Sequence, residues 1–183
     1  MQELLLATHC APTLAGLKTG SLFTCRITGK AQIAETIADW NRIFSGKGLF
    51  IKVLRIFQDR ALIYVYRKAK LEMDLSRTEI QPFLEAQGYL LGDVDQMLTH
   101  LAERIQENEE FPHEIGLFLG YPFEDVKGFI ENKGKNCKCV GCWKVYTDEC
   151  RAREIFSAYR YCTEFYCRRV REGVSIQQLI VAA

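Results

Sequence analysis

Three cysteines of this 183-residue chain lie within six residues of one another, at Cys137, Cys139 and Cys142. The last two have Cys-x-x-Cys spacing, which lets one turn of backbone present both sulfurs to a single metal ion. Four lysines flank the three thiols: Lys133, Lys135, Lys138 and Lys144. Nearby cations stabilise thiolates, the form in which sulfur binds metals or attacks disulfides. The segment therefore predicts a metal site, and an attacking and a resolving thiol for redox exchange are the alternative.

A tetrahedral metal site on these three thiols needs a fourth ligand, because the chain has no second Cys-x-x-Cys pair. Cys162, on a predicted C-terminal helix, is the first candidate. At 100° per residue it shares an apolar stripe with Ile155 and Tyr166, which must face the body of the protein. Cys150, near the start of that helix, and Cys10 are alternatives. Zinc or an iron–sulfur cluster would suit this ligand set, although Cys162 also fits a small core residue.

The remaining cysteines are predicted to have no chemical role. Cys25 alternates with Phe23 and Ile27 along a predicted strand, so we expect it in the core. Cys150 and Cys167 point away from the apolar stripe of the C-terminal helix. Unless Cys150 serves as the fourth ligand, both are expected at the surface or at the boundary of the core.

Cys10 offers a different chemistry, because it lies beside His9 and before Pro12 in a segment that we predict to be irregular. A cysteine in such a segment could be the nucleophile or redox thiol of a thiol-dependent enzyme. His9, Lys18 and His113 are the candidate activators. An ordinary loop thiol is the alternative interpretation of Cys10.

His113 and Glu114 form half of a metallohydrolase pattern, but no second histidine follows four residues later. A His–Glu pair that opens a short helix after Pro112 is more typical of helix capping and solvation. His113 therefore stays a catalytic candidate only as a partner of Cys10.

The composition is that of a soluble globular protein, with 48% apolar and 26% charged residues. The formal net charge of +1 argues against a nucleic-acid-binding protein. The first residues lack a basic signal-peptide region, and no stretch reaches the ~20 apolar residues of a membrane span. We therefore expect a cytoplasmic protein with reduced thiols and no membrane partner. The sequence names no protein or small-molecule partner.

Hydrophobic periodicity predicts one α+β domain over residues 1–183. A short N-terminal helix leads into a turn-prone segment at 9–20. The predicted strands are 21–28, 49–57, 61–67 and 143–146, and the predicted helices are 31–45, 76–87, 92–108, a short one from Pro122 to Ile130, and 148–172. This order fits an antiparallel sheet of three to four strands packed with several helices, and a ferredoxin-like β-α-β-β-α-β core is one version. The last helix is the longest.

Residues 9–23, 111–122 and 136–146 resemble the signature blocks of a bacterial family catalogued as domain of unknown function 3793. The resemblance extends over nearly the whole chain. It implies a small prokaryotic protein, commonly from anaerobic Gram-positive bacteria, and no activity or catalytic residue that can be transferred. An anaerobic setting would make an iron–sulfur centre or a reduced thiolate–metal site easier to sustain.

Three functions are thus open. The first is a cytosolic metal-binding protein with Cys137, Cys139, Cys142 and Cys162 as ligands, and the sequence favours it. The second is a thiol-dependent enzyme or redox protein that uses Cys10. The third is a non-catalytic interaction module in which the cysteine loop shapes a surface for a protein partner.

Overall fold

The computed structural model describes residues 3–107 and 111–182, and its helices and strands lie within these ranges. The helices are α1 Glu3–Leu14, α2 Lys30–Phe44, α3 Lys68–Leu75, α4 Gln81–Ala86, α5 Val94–Glu107, α6 Ile115–Phe118, α7 Phe123–Glu131, α8 Glu149–Arg171 and α9 Ile176–Leu179. The strands are β1 Gly20–Arg26, β2 Leu49–Phe57, β3 Arg60–Arg67, β4 Cys139–Val140 and β5 Lys144–Val145. None of these helices is long and apolar enough to cross a membrane.

The main sheet has three strands in the order β1-β3-β2. Strand β3 is antiparallel to both neighbours, so β1 and β2 run parallel to each other and α2 connects them. This is the split β-α-β arrangement of a ferredoxin-like fold, and it confirms the predicted α+β class with an antiparallel sheet. The predicted fourth strand does not join it. Strand β5 pairs with β4 in a separate two-stranded hairpin instead.

The central strand β3 is buried on both faces from Ala61 to Arg67. Successive side chains of a strand point to opposite faces, so β3 contributes to two separate cores. Tyr64 and Tyr66 pack with residues of α3 to α7 on one face. Ile63 and Val65 pack with residues of α1, α2 and α8 on the other. The sheet is therefore the middle of three layers.

Helix α1 runs further than the sequence predicted. It continues through Cys10 and Pro12 to Leu14, so the predicted turn-prone segment begins only at residue 15. Proline inside a helix removes one backbone hydrogen bond, which is why the pattern suggested an earlier end. Packing outweighs this cost, because Cys10, Ala11 and Leu14 are fully enclosed by the core.

One predicted helix, 76–87, is wrong in its position. The chain passes from β3 directly into α3, turns at residues 76–80 and then forms the shorter α4. Backbone hydrogen bonds from Ile80 and Gln81 to the carbonyl of Arg77 close this turn. The other predicted elements agree with the structure to within a few residues, and residue 108, the predicted end of α5, lies outside the described ranges.

Candidate functional site

The hairpin β4–β5 carries the clustered cysteines, and the buried carboxylate of Asp125 on α7 holds it in place. One oxygen of Asp125 accepts the indole N–H of Trp143 at 2.8 Å. The other accepts the backbone N–H of Tyr146 at 2.8 Å, and both the backbone N–H and the hydroxyl of Thr147, at 3.0 and 2.9 Å. A carboxylate with several donors is a strong anchor, so the hairpin has one defined position on α7.

Aromatic packing fixes the other side of the hairpin against α8. The ring of Trp143 lies 4.6 Å from the ring of Phe156 and 5.0 Å from that of Tyr121, measured between centroids. Gly141 makes this approach possible, because a Cβ atom at this position would lie 2.2 Å from the Phe156 ring. The hairpin tip therefore rests directly on α8.

A cleft of about 540 Å³ opens between the hairpin tip, α1 and α8. Thr8, His9 and Pro12 of α1 line one wall. The opposite wall comes from the hairpin tip and α8 and includes these residues: Val140, Gly141, Cys142, Arg153, Phe156, Tyr159, Arg160 and Glu164. Lys18, from the loop between α1 and β1, lies in the same cleft. The cleft thus combines a thiol, an amine and guanidinium groups, which is a set of groups able to bind and attack a small molecule.

Lys18 is placed in the cleft by the tight loop after α1, in which its backbone N–H donates to the carbonyl of Pro12 at 3.0 Å. Its Nζ lies 5.2 Å from the ring centroid of Tyr121. Burial lowers the pKa of Lys18, and the nearby Cys142 and Cys10 raise it in part. A lysine in this environment carries its proton less firmly than an exposed one, as a general base requires.

Cys142 lines the cleft opposite Lys18, although the residue as a whole is exposed. Burial raises the pKa of its thiol, while Lys18, the backbone at Cys142 and Arg160 act to lower it. Its backbone carbonyl accepts the hydroxyl of Tyr121 at 3.0 Å. Each of the two groups therefore favours the charged form of the other, while burial favours the neutral form of both.

Two phenols complete the surroundings of this pair. Burial, with a smaller contribution from Cys142, raises the pKa of Tyr121 and of Tyr159 to about 12. Both side chains therefore keep their protons at neutral pH; Tyr121 donates its proton to the Cys142 carbonyl, and Tyr159 is a further donor that lines the cleft.

Comparison with known proteins gives one family. A family model described as "Protein of unknown function (DUF3793)" matches residues 6–180. The chain belongs to the DUF3793 family. The match contains all three segments that carry the resemblance seen in the sequence. No curated protein and no solved structure matches the chain.

The clustered thiols of this DUF3793 chain are the predicted metal ligands. Within residues 3–107 and 111–182, no group of three or more His, Cys, Asp or Glu side chains is arranged to hold a metal ion. Burial raises the pKa of Tyr146, with a smaller contribution from Cys137. The hydrogen bond to Glu149 raises the pKa of Arg153 on α8, with a smaller contribution from Cys139. The zinc or iron–sulfur site expected from the spacing therefore stays a prediction.

Cys162 is buried on α8, as the helical stripe predicts. It packs in the core between α8 and α1, and burial raises its pKa to about 11. Cys150 is exposed near the start of α8 and Cys25 is half-buried beside the same core. Cys167 corrects a prediction, because it is buried instead of at the surface. Its sulfur lies 3.6 Å from the hydroxyl of Thr8, since α1 covers this part of α8.

Cys10 does not lie in an irregular segment but on α1, with no exposed surface. Burial raises its pKa strongly, and the lowering effect of Lys18 is smaller. Lys18, one of the predicted activators, therefore lines a cleft together with a thiol, but that thiol is Cys142.

His113 lies on the other side of the hairpin, outside the cleft that holds Lys18 and Cys142. Its ring packs edgewise on Phe129 at 4.8 Å between centroids. The capping and solvation prediction is wrong for Glu114, because this side chain is buried and accepts a hydrogen bond from Nε–H of Arg104 at 2.6 Å. It also accepts the hydroxyl of Tyr89 at 3.1 Å. This pair ties α6 to α5 and is structural.

Sequence reasoning missed the role of Arg160 and the pairing of Lys18 with Cys142. Arg160 is exposed on α8, and the sequence alone singles out no role for it. It lines the cleft because the hairpin packs back on α8. The packing of the hairpin on α8 depends on Gly141, which has no Cβ to meet the Phe156 ring. This glycine, between Cys139 and Cys142, is the local sequence signal for such a close approach of the backbone.

Proposed function

We propose that this DUF3793 protein is a thiol-dependent enzyme in which Cys142 reacts and Lys18 activates it. The observation that carries the proposal is their meeting in one cleft, although they are far apart in sequence. Each influences the pKa of the other, as expected for a coupled amine–thiol pair. Nucleophile and base in one pocket is the arrangement that covalent catalysis requires.

The proposed chemistry begins with proton transfer. The amine of Lys18 takes the proton of the Cys142 thiol, and the resulting thiolate lies beside an ammonium group. The sulfur electron pair then forms a bond to an electrophilic carbon or sulfur of a small molecule. The electron pair displaced from that centre moves to an oxygen or to a leaving sulfur. Arg160 and the phenol of Tyr159 line the same cleft and stabilise the charge that develops.

The metal-binding function stays a prediction from the cysteine spacing. A structural or catalytic metal would need ligands that converge within bonding distance, which the described residues do not provide. Elemental analysis of protein purified without oxygen tests it independently. The thiol proposal does not depend on that result, because it uses only Cys142 of the clustered thiols.

The test of the proposal is the pH dependence of Cys142 alkylation by iodoacetamide, followed by peptide mass spectrometry. The labelling rate of Cys142 should rise through a midpoint at a higher pH than that of an ordinary exposed thiol, because only the thiolate reacts and burial raises its pKa. In Lys18→Met the midpoint should move further up and the rate at pH 8 should fall, about tenfold for each unit of pKa. Cys150, also exposed, is the internal control and should keep its rate.

The proposal also predicts which variant leaves the reaction intact. Arg168→Gln, on the exposed part of α8 beyond the cleft, should label at Cys142 like the wild type. If Lys18→Met labels Cys142 at the wild-type rate and with the wild-type midpoint, Lys18 is not its activator and the proposal is wrong.

A further inference from the structure

A second pocket, of about 380 Å³, adjoins the thiol cleft and shares Lys18 and Tyr159 with it. It lies among α3, the loop between α6 and α7, and the first turns of α8. The two cavities therefore meet at the residue that we assign as the activator of Cys142. A ligand that fills both would pass Lys18.

Four cationic side chains line this second pocket: Lys18, Lys70, Arg77 and Arg151. They come from the loop after α1, from α3 and the turn that follows it, and from α8. In the part of the chain that the structure describes, none of the four belongs to an ion pair. The ammonium of Lys70 donates to the carbonyl of Gly16 at 3.0 Å and keeps its other donors.

Three carboxylates also line the pocket, but each already accepts hydrogen bonds. Asp74 accepts the hydroxyl of Thr19. Asp125 holds the hairpin through its four bonds to Trp143, Tyr146 and Thr147. Asp148 caps α8 by accepting the backbone N–H of Arg151 at 3.0 Å. The carboxylates are thus part of the fold, whereas the guanidinium groups of Arg77 and Arg151 retain free donors for a ligand.

The walls between these charges are apolar and aromatic. The lining includes these side chains: Ile80, Leu117, Tyr121, Trp143 and Ile155. Ligand sites commonly combine such walls with a few convergent polar groups. The combination here suits a molecule with an apolar body and one charged end. Arginine groups favour carboxylate and phosphate oxygens because their planar donors match two oxygens at once.

We infer that this pocket binds the oxyanion group, phosphate or carboxylate, of a small molecule whose other end reaches Cys142 past Lys18. The inference rests on the proposed function for the reacting end of the molecule. The oxyanion site itself is a separate property, held by Arg77, Arg151 and Lys70 with Lys18 at the junction. The substrate would therefore carry its negative charge at one end and the atom that Cys142 attacks at the other.

The test is calorimetric titration of inorganic phosphate, and separately of succinate, into the full chain carrying Cys142→Ser. We expect saturable binding of one of the two anions at a single site, and the tighter one identifies the oxyanion. The double variant Arg77→Gln/Arg151→Gln should weaken that binding at least tenfold. The matched double variant Arg168→Gln/Arg171→Gln, exposed at the far end of α8, should leave it unchanged. Circular dichroism confirms that each variant is folded.

Two results would overturn the inference. One is the absence of saturable binding of either anion, and the other is an equal loss of binding in the two double variants, which would indicate general charge attraction. Because the titration uses Cys142→Ser, it does not depend on thiol chemistry. If Lys18→Met and the wild type alkylate Cys142 alike, the proposed function is wrong and the oxyanion site is unaffected. If neither anion binds, the oxyanion site is wrong and the proposed function is unaffected.

Discussion

The reactivity of a cysteine in this protein is set by its enclosure more than by its sequence neighbours. Lys18 acts on both Cys10 and Cys142, and in each case it favours the thiolate. Burial outweighs that effect at Cys10, which has no exposed surface. Only Cys142 borders a cleft that a substrate can enter. The residues next to Cys10 suggested a nucleophile or redox thiol, but α1 places this side chain in the core.

Replacement of Cys10 tests this distinction through stability. Cys10→Ser puts a hydroxyl into an apolar core, and an unsatisfied buried polar group costs about 1–3 kcal/mol. We expect a loss of this size in urea unfolding, and no alkylation of Cys10 in the folded wild-type protein. Cys150→Ser is the matched control, because Cys150 is exposed, and it should change stability by less than about 0.5 kcal/mol. Rapid labelling of native Cys10 would contradict the assignment of this thiol to the core.

At the scale of elements, the site depends on a hairpin whose two strands have only two residues each. Strands this short carry no alternating pattern. The sequence predicts β5, within residues 143–146, but not its partner β4 or the hairpin that they form. The residue that anchors the hairpin, Asp125, lies on α7, and its four hydrogen bonds to the hairpin exist only in the folded chain. This is why the cysteine spacing suggested a metal loop, while tertiary packing places Cys142 in a cleft that Lys18 also lines.

Gly141→Ala tests how closely the hairpin must approach α8. The new methyl group would meet the Phe156 ring, so either the ring or the hairpin tip must move. Overpacking of this kind typically costs about 1–3 kcal/mol, which urea unfolding measures. The alkylation rate of Cys142 should change as well, because the tip carries this thiol.

A glycine with open space around it provides the control for Gly141→Ala. Gly46→Ala meets no atom within 4 Å and should be close to neutral. Equal stability of the two variants, with an unchanged Cys142 rate in Gly141→Ala, would show that the tip does not rest tightly on α8.

The longer elements could be predicted because each satisfies one periodicity over enough residues. Helix α8 shows this, since the apolar stripe predicted at 148–172 matches Glu149–Arg171 and correctly buries Cys162. Two of the failures in the helices, at α1 and at α3, have local causes. Pro12 hid the continuation of α1, and the polar start of α3 directly after β3 concealed that helix. The cleft could not be predicted at all, because its walls come from three separate parts of the chain.

At the scale of the whole molecule, the central sheet separates two cores, and a buried arginine connects parts that the sheet does not hold. Arg67, at the end of β3, donates from Nε to the carbonyl of Thr13 at 2.7 Å. One terminal nitrogen donates to the carbonyls of Leu14 and Val181, at 2.6 and 2.7 Å. The end of α1, the end of β3 and the segment after α9 thus meet at one side chain. This junction also sets where the loop carrying Lys18 leaves α1.

Arg67→Met therefore removes a connection between elements as well as three charge-assisted hydrogen bonds. Each such bond contributes roughly 1.5–3 kcal/mol, and some carbonyls will find other donors, so we expect a loss of at least about 3 kcal/mol in urea unfolding. Arg67→Lys keeps the charge but lacks the planar fork, so its stability should fall between those of the wild type and Arg67→Met. Arg60→Met, at the exposed start of the same strand, should shift stability by less than about 0.5 kcal/mol.

Because Arg67 positions the Lys18 loop, slower alkylation of Cys142 in the folded Arg67→Lys variant should accompany the stability loss. Identical unfolding midpoints for Arg67→Met and Arg60→Met would show that α1 and the last segment are held by core packing alone.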